Sequence, residues 1–468
     1  MKPQLTMEIN MSRSALFLFG IAGVIAATGA ACSANPATAS TSGGGSNPTS
    51  SGASMGTGKG GAGPSTSVTT GDDITVAVGS GGAGMGDCTS KMDEDQDKDG
   101  WSKLDGDCND CDANVNPGAI EVKITMPQGD AGIPDPADED CDGTADNVAP
   151  PCDTGLALAD VDPADAAKAI DLCQTTTESP ASKKDRKWGV LSSKYVSADG
   201  LSPRTPGLQV GLLDKFGMNV KTRLGASMLG LSTGHMRTPG QPGACTTDGN
   251  PQSPTSQNCV TTNDGPPPAG FPQAVPGCPA PPNLTIHDDI ALEVKLRSPT
   301  NATGYKFNFK FYSYEYAEWV CTSYNDQFVA LVTPPPMGSI NGNISFDSGN
   351  HPVSVNIAFF DVCDPASKAY FAQHCSGGSC PVAPNPYCPS GKAELLGTGM
   401  DGQVDVLDGG GTSWLQTSAP VKGGDDISIR FTIWDTFDHN LDSSVLIDAF
   451  QWIANGGTVK VGTIITPS

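Results

Sequence analysis

The sequence has no hydrophobic run long enough to cross a bilayer, few basic residues, few histidines and little hydrophobic mass for its length. The N-terminal apolar stretch, Ala15 to Thr28, is fourteen residues, and a spanning helix needs about 20. Lys and Arg total 27 against 51 Asp and Glu, a formal charge of −24. That balance repels nucleic acid and anionic headgroups and attracts cations. The five His show no H-E-x-x-H spacing, so each reads as a surface or structural residue. Hydrophobic residues make up 37%, while Gly and Pro number 57 and 38. Much of the chain therefore belongs to linkers and loops.

What is present begins with an export signal. Arg13 precedes the apolar stretch, which suits the h-region of a signal peptide. Met11 is a second candidate start. Gly29-Ala30-Ala31-Cys32 follows and resembles a bacterial lipobox, with Gly29 where an aliphatic residue is usual. The resemblance implies a signal peptide over 1–31, lipidation at Cys32 and a membrane partner through that lipid. A plain secretory signal cleaved near Ala31 is the alternative. Residues 32–86 are almost only Ser, Gly, Thr, Ala and Pro. They cannot bury enough apolar area to offset ordering entropy, and as a flexible tether they would span roughly 40 Å. Gly58-Lys59 is no phosphate loop, because no Ser or Thr follows the Lys.

Residues 87–153 carry 19 acidic side chains against 4 basic ones, so the net acidity belongs mostly to this cassette. Asp95-x-Asp97-x-Asp99-Gly100 and Asp138-x-Asp140-x-Asp142-Gly143 are two copies of D-x-D-x-D-G. Carboxylates at positions 1, 3 and 5 of such a loop converge on one ion. Gly at position 6 permits the turn, and the next carbonyl, from Trp101 or Thr144, supplies a further oxygen. Asp105, Asp107, Asn109, Asp110 and Asp112 form a third ladder, and Asp146 closes the set. Carboxylates this dense repel one another, so a bound cation, Ca2+ by ligand type, is the natural compensation. The pattern is not an EF-hand: position 12 from Asp95 is Gly106 and no amphipathic helices flank the loops. Asp107-Cys108-Asn109-Asp110, Pro117-Gly118-Ala119-x-Glu121 and Asp140-Cys141-Asp142-Gly143 resemble the MopE-type metal-binding repeat of exported bacterial proteins. The cassette is also similar to thrombospondin type 3 calcium repeats. An insert from Val122 to Pro136 replaces the usual short link.

Residues 154–186 read as a helical connector, with Asp162 as cap, Pro163 in the first turn and a run to Cys173. Residues 187–468 read as a mainly β, antiparallel sandwich-like domain with disulfide-rich loops. Ile290 to Leu296, Phe307 to Phe311, Val353 to Phe359 and Ile427 to Ile433 alternate with period 2, and Val445 and Ile447 begin a last strand. Setting Cys32 aside, 14 of the 15 cysteines remain. An even count in an exported chain indicates disulfides without fixing their partners. The Gly240–Pro282 loop, with Cys245, Cys259 and Cys278, and the Cys363–Cys388 insertion both read as stapled loops.

Leu231-Ser232-Thr233-Gly234, Phe309 through Tyr316 with Tyr324-Asn325-Asp326, and Trp434-Asp435 with Asp438 and Leu441 through Val445 resemble a choice-of-anchor L domain over roughly Trp188 to Ile453. The resemblance implies a cell-surface location and no defined activity, and a lipid-modified Cys with a MopE-type cassette in front of such a domain fits myxobacterial members. The family-like carboxylates Glu315, Asp326, Asp438 and Asp442 are candidates for a second metal site; the competing reading makes them turn caps. Gly230-Leu231-Ser232-Thr233-Gly234 matches G-x-S-x-G, but the elbow needs a helix after the Ser and Pro/Gly-rich sequence follows here. Tyr312, Tyr314, Tyr316, Trp319 and Tyr324 could form a glycan-binding face or a packed strand. The sequence therefore predicts a non-enzymatic, exported, membrane-anchored lipoprotein that binds calcium and serves display or adhesion. A glycan or matrix partner is the alternative, and a serine hydrolase using Ser232 a weaker one.

Overall fold

The computed structural model describes residues 67–68, 76–77, 89–122, 137–147, 149–245, 259, 263–280, 285–357, 359–367, 388–401, 409–454 and 456–467. The signal segment, Cys32, most of the linker, Cys88 and most of the insert lie outside the described residues. Among the described residues no helix is long and apolar enough to cross a membrane.

The connector contains one short helix, α1 (Pro163–Lys168). Asp162 caps it by accepting from the Ala164 N–H at 2.8 Å. The helix stops well before Cys173. Asp171 takes φ 68°, a left-handed value that ends a helix. The Ile170 carbonyl instead accepts from Phe450 N–H at 3.1 Å. The Cys152–Cys173 disulfide closes this connector.

The strands of the two large sheets of the β domain are β1 (Gly189–Val196), β2 (Val210–Leu213), β3 (Met228–Ser232), β4 (Ile286–Arg297) and β5 (Ala302–Ser313). Next come β6 (Gln327–Thr333), β7 (Val353–Ser354), β8 (Phe360–Val362), β9 (Gly410–Thr412) and β10 (Leu415–Pro420). The last are β11 (Asp426–Thr436), β12 (Ser443–Ala454) and β13 (Gly462–Ile465). One sheet runs β7-β6-β11-β4-β1. The other runs β8-β9-β5-β12-β3-β2, with β10 pairing both β5 and β13. These ladders are antiparallel.

Period-2 patterning puts one side of each strand in the core. Phe431 sits opposite Leu292 and Ile429 opposite Val294 in the first sheet. Phe307 of the second sheet meets Phe431 of the first with ring centroids 5.0 Å apart, and Phe309 meets Phe328 at 5.1 Å. The architecture is thus an aromatic-rich sandwich core. The Val353–Phe359 alternation is not one long strand. Its backbone pairs only over β7 and then turns, with Ile357 N–H on the Ser354 carbonyl at 3.3 Å. Val353, Val355 and Ile357 are fully buried, and so are Ser354 and Asn356 between them, so the alternation here reports neither a strand nor a one-sided face.

Cys245 bonds Cys259 and Cys363 bonds Cys388, closing the two loops read as stapled. Cys278 instead reaches Cys321, between β5 and β6, so it ties its loop to the sandwich.

Candidate metal centre

The two D-x-D-x-D-G loops share one hydrogen-bond pattern. In the first, Asp95 accepts from Gly100 N–H at 3.0 Å, Asp97 from Asp99 N–H at 3.1 Å and Asp99 from Trp101 N–H at 2.6 Å. In the second, Asp138 accepts from Gly143 N–H at 2.9 Å, Asp140 from Asp142 N–H at 3.1 Å and Asp142 from Thr144 N–H at 2.8 Å. Position 1 therefore serves position 6, position 3 serves 5, and 5 serves 7. The backbone is left-handed at position 4, Lys98 and Cys141, and at position 6, Gly100 and Gly143 with φ 96° and 94°. Only Gly adopts the second value without strain.

Each such bond turns one carboxylate oxygen inward to the loop; on Asp95 and Asp97 the other oxygen has no hydrogen-bond partner, whereas the second oxygens of Asp99 and Asp142 accept from Asn116 and Asn147. Asp95, Asp97 and Asp99 offer ligand atoms all within 4.8 Å of one another, and so do Asp97, Asp107 and Asp110. Asp97 belongs to both groups. Asp95 Oδ1, Asp97 Oδ2, Asp107 Oδ2 and Asp110 Oδ2 are buried and have no hydrogen-bond partner. A third group, Glu121, Asp138 and Asp140, has the buried, unpartnered Glu121 Oε2 beside the second loop. Burial, reinforced by the neighbouring carboxylates, pushes Asp99 up to about 7 and Asp107 up to about 6. It raises Asp97, Glu121 and Asp140 in the same direction. Unpaired buried anions are costly; a divalent cation reverses the sign of their environment.

The remaining sequence candidates are placed elsewhere. Asp105 pairs with Lys183 at 2.9 Å and with Ser102, and the Lys183 bond holds its carboxyl below the usual range. Asp112 holds a turn through Asn114 N–H at 3.1 Å. Asn109 contributes its backbone N–H to Asp107 at 2.8 Å. Asp142 accepts from Asn147 at 2.6 Å with its second oxygen. Asp146 takes φ 53° and donates its N–H to the Ala137 carbonyl at 3.3 Å. Trp101 buries its side chain and carries Lys183 over its ring at 5.4 Å. Glu121, in Pro117-Gly118-Ala119-x-Glu121, is a candidate ligand that the sequence pattern does not single out. Its distance in sequence from the second loop hid it.

The cassette is docked on the sandwich. Asn116, fully buried, donates to Asp99 Oδ2 at 2.8 Å. The same side chain accepts from Thr300 Oγ1 at 2.7 Å and from Gly118 N–H at 2.9 Å. Asn301 brackets Ile120, accepting from its N–H at 3.0 Å and donating to its carbonyl at 2.8 Å. Cys108–Cys141 ties the two halves of the cassette.

In the β domain, Glu315, Asp326 and Asp442 are buried, and burial raises all three carboxyls. They hold backbone and hydroxyl donors. Asp326 accepts from Thr436 N–H at 3.0 Å and Ser443 Oγ at 2.7 Å. Glu315 accepts from Asp326 N–H at 3.3 Å, and Asp442 from Cys259 N–H at 3.3 Å. Asp438 is half-buried and caps Asn440 N–H at 3.0 Å. The four do not converge. Among the described residues, the groups with ligand atoms mutually within 4.8 Å are the three above and one more, Asp264, His287 and His439. Asp435, at a β11 register shift, is buried near Asp326 and Asp442. Neither of its oxygens makes a hydrogen bond of normal geometry, although Asp326 and Thr233 approach it.

Ser232 is not the tip of a nucleophile elbow. It lies fully buried on β3, where Oγ donates to the Ser443 carbonyl at 3.2 Å and accepts from Ser444 Oγ at 3.0 Å. Among the described residues, 233–245 carry no helix after it. Tyr312, Tyr314 and Tyr316 are buried, which removes them from any glycan-binding face. Trp319, Tyr324 and Phe437 remain partly exposed, packed edge-on at 5.0 and 4.8 Å.

No curated protein and no solved structure matches the chain. Residues 283–451, which take in β4 through most of β12, match the family model described as the choice-of-anchor L domain, and this match points to a surface-related protein.

Proposed function

We propose that this chain is an exported surface lipoprotein, anchored through Cys32, whose acidic cassette binds calcium and stiffens the base of a β domain used for display or adhesion. The observation that carries the calcium reading is the set of four buried, partnerless oxygens on Asp95, Asp97, Asp107 and Asp110. All are hard carboxylate donors, the class that calcium takes at 6–8 ligands. The docking of Asn116 between Asp99 and Thr300 supports a mechanical role, because an ion that orders the loop also orders the hinge to the sandwich. A glycan or matrix ligand would have to use the half-exposed Trp319, Tyr324 and Phe437.

The test is thermal unfolding of the purified, oxidised chain in calcium and in chelator. Binding to the native state alone raises the midpoint by linkage, by about 2.7 kcal/mol at a hundredfold excess over Kd. An unchanged midpoint at millimolar calcium would defeat the proposal. Labelling of live cells with palmitate, lost in Cys32→Ala, tests the anchor separately.

A further inference from the structure

Three residues far apart in sequence meet at one end of the sandwich: Asp264 in the segment before β4, His287 near the start of β4, and His439 in the loop between β11 and β12. Their ligand atoms all lie within 4.8 Å of one another. His287 Nδ1 is 3.3 Å from Asp264 Oδ1, and His439 Nε2 is 3.8 Å from Asp264 Oδ2. The imidazole centroids are 4.2 Å apart.

We propose that Asp264, His287 and His439 form a binding site for one divalent transition-metal ion, with zinc as the reference ion. The site lies outside the acidic cassette and does not depend on it.

The distances carry the argument. An N–H···O hydrogen bond has its mode near 2.9–3.0 Å, so 3.3 Å is a long bond and 3.8 Å is none. Two ligands bound to tetrahedral zinc at about 2.0–2.1 Å lie about 3.3 Å from each other. The His287 spacing matches a ligand-to-ligand span, and the His439 spacing, to the other oxygen of the same carboxylate, is about half an ångström longer. The donor set, two imidazoles and one carboxylate, suits zinc and its neighbours and not calcium.

The surroundings are built for it. His439 Nδ1 lies 2.8 Å from Asp288 Oδ2, and Asp288 is fully buried. An Nδ1–H donated to that carboxylate leaves the Nε2 lone pair directed at the site, the outer-shell arrangement of metal-bound histidines. The segment that carries Asp264 is tied to β4 on both sides of it. Asn263 accepts from Asp289 N–H at 2.8 Å through its carbonyl, and Gly265 bridges Ile286. Asp288 also faces Asp435 and Asp442, which have buried oxygens without partners. Added positive charge at this end of the sandwich offsets that excess. Side-chain exposures of 32% for His439 and 48% for Asp264 leave a face open to water or an exogenous ligand in the fourth position.

The experiment titrates CoCl2 into the purified full chain held in saturating calcium, reads the visible d–d absorption of tetrahedral Co2+, and then displaces it with ZnCl2. One equivalent of Co2+ with a tetrahedral spectrum, displaced by zinc, is the expected result. His287→Ala and His439→Ala are each expected to weaken binding at least tenfold, and Asp288→Asn by about 10–100-fold. If the histidine variants misfold, Asp264→Asn, at an exposed position, carries the comparison and is expected to weaken binding at least tenfold. Absence of a tetrahedral spectrum in the wild-type chain, or affinities within twofold of wild type in folded variants, overturns the proposal. The cassette is untouched in every arm, so the calcium reading stands or falls on its own test.

Discussion

Asn116 touches Asp99 and Thr300 at once: its amide nitrogen lies 2.8 Å from Asp99 Oδ2 and its amide oxygen 2.7 Å from Thr300 Oγ1. One fully buried side chain thus joins the first acidic loop to the turn between β4 and β5. Asn116→Ala leaves several buried polar groups unpaired, at a cost of about 1–3 kcal/mol each where solvent cannot replace the bond. The expected outcome is a lower unfolding midpoint together with a smaller calcium-induced rise. Calorimetry with and without calcium checks both. An undiminished calcium effect would show that the cassette and the sandwich are uncoupled.

Asp97 and Asp105 are eight positions apart and play opposite parts. Asp97 belongs to two ligand groups, whereas Asp105 is committed to Lys183. Asp97→Asn is expected to lower calcium affinity at least tenfold by isothermal titration, and Asp105→Asn to leave it within about twofold, since an exposed ion pair contributes only about 0–1 kcal/mol.

The pH dependence has a definite sign. Asp99 is pushed up to about 7 and Asp107 to about 6, mainly by burial. In the ion-free chain the folded state therefore holds protons that the unfolded state has already released above the ordinary carboxylate pKa of about 4. Stability is fully present at pH below that value and declines as pH rises towards 7. The proposed calcium binding would run the other way, because protons compete for the same oxygens. Melting curves from pH 4 to 8 are expected to fall with pH in chelator. Calcium affinity is expected to weaken as pH drops below about 7.

Gly118 sits where the cassette meets the sandwich. A Cβ there would lie 2.8 Å from Thr300 Cγ2 and 3.2 Å from Trp101 Cζ2. Gly118→Ala should destabilise by about 1–3 kcal/mol through overpacking, read as a lower denaturation midpoint.

Ser232 offers a test of the hydrolase alternative. A fluorophosphonate probe is expected to leave the folded chain unlabelled, since Oγ is enclosed by Ser443 and Ser444. Labelling that disappears in Ser232→Ala would restore that alternative.

The sequence by itself determined the elements whose signal is local. Period-2 alternation located the facing residues of β4, β5 and β11, because burial of one sheet face imposes that period wherever the strand lies. The D-x-D-x-D-G spacing located the two loops, because their bonds run between residues at most five apart. Alternation failed at Val353–Phe359, where the chain turns after two paired residues and buries the polar Ser354 and Asn356 along with the apolar residues between them. Tertiary structure alone decided which carboxylates lie together: Asp97 with Asp107 and Asp110, and Glu121 with Asp138 and Asp140. It alone brought His287 to His439 and Asp264, and Cys278 to Cys321. The physical reason is that such contacts follow from sheet order and loop closure, in which long-range packing selects among pairings that the local sequence leaves equally open.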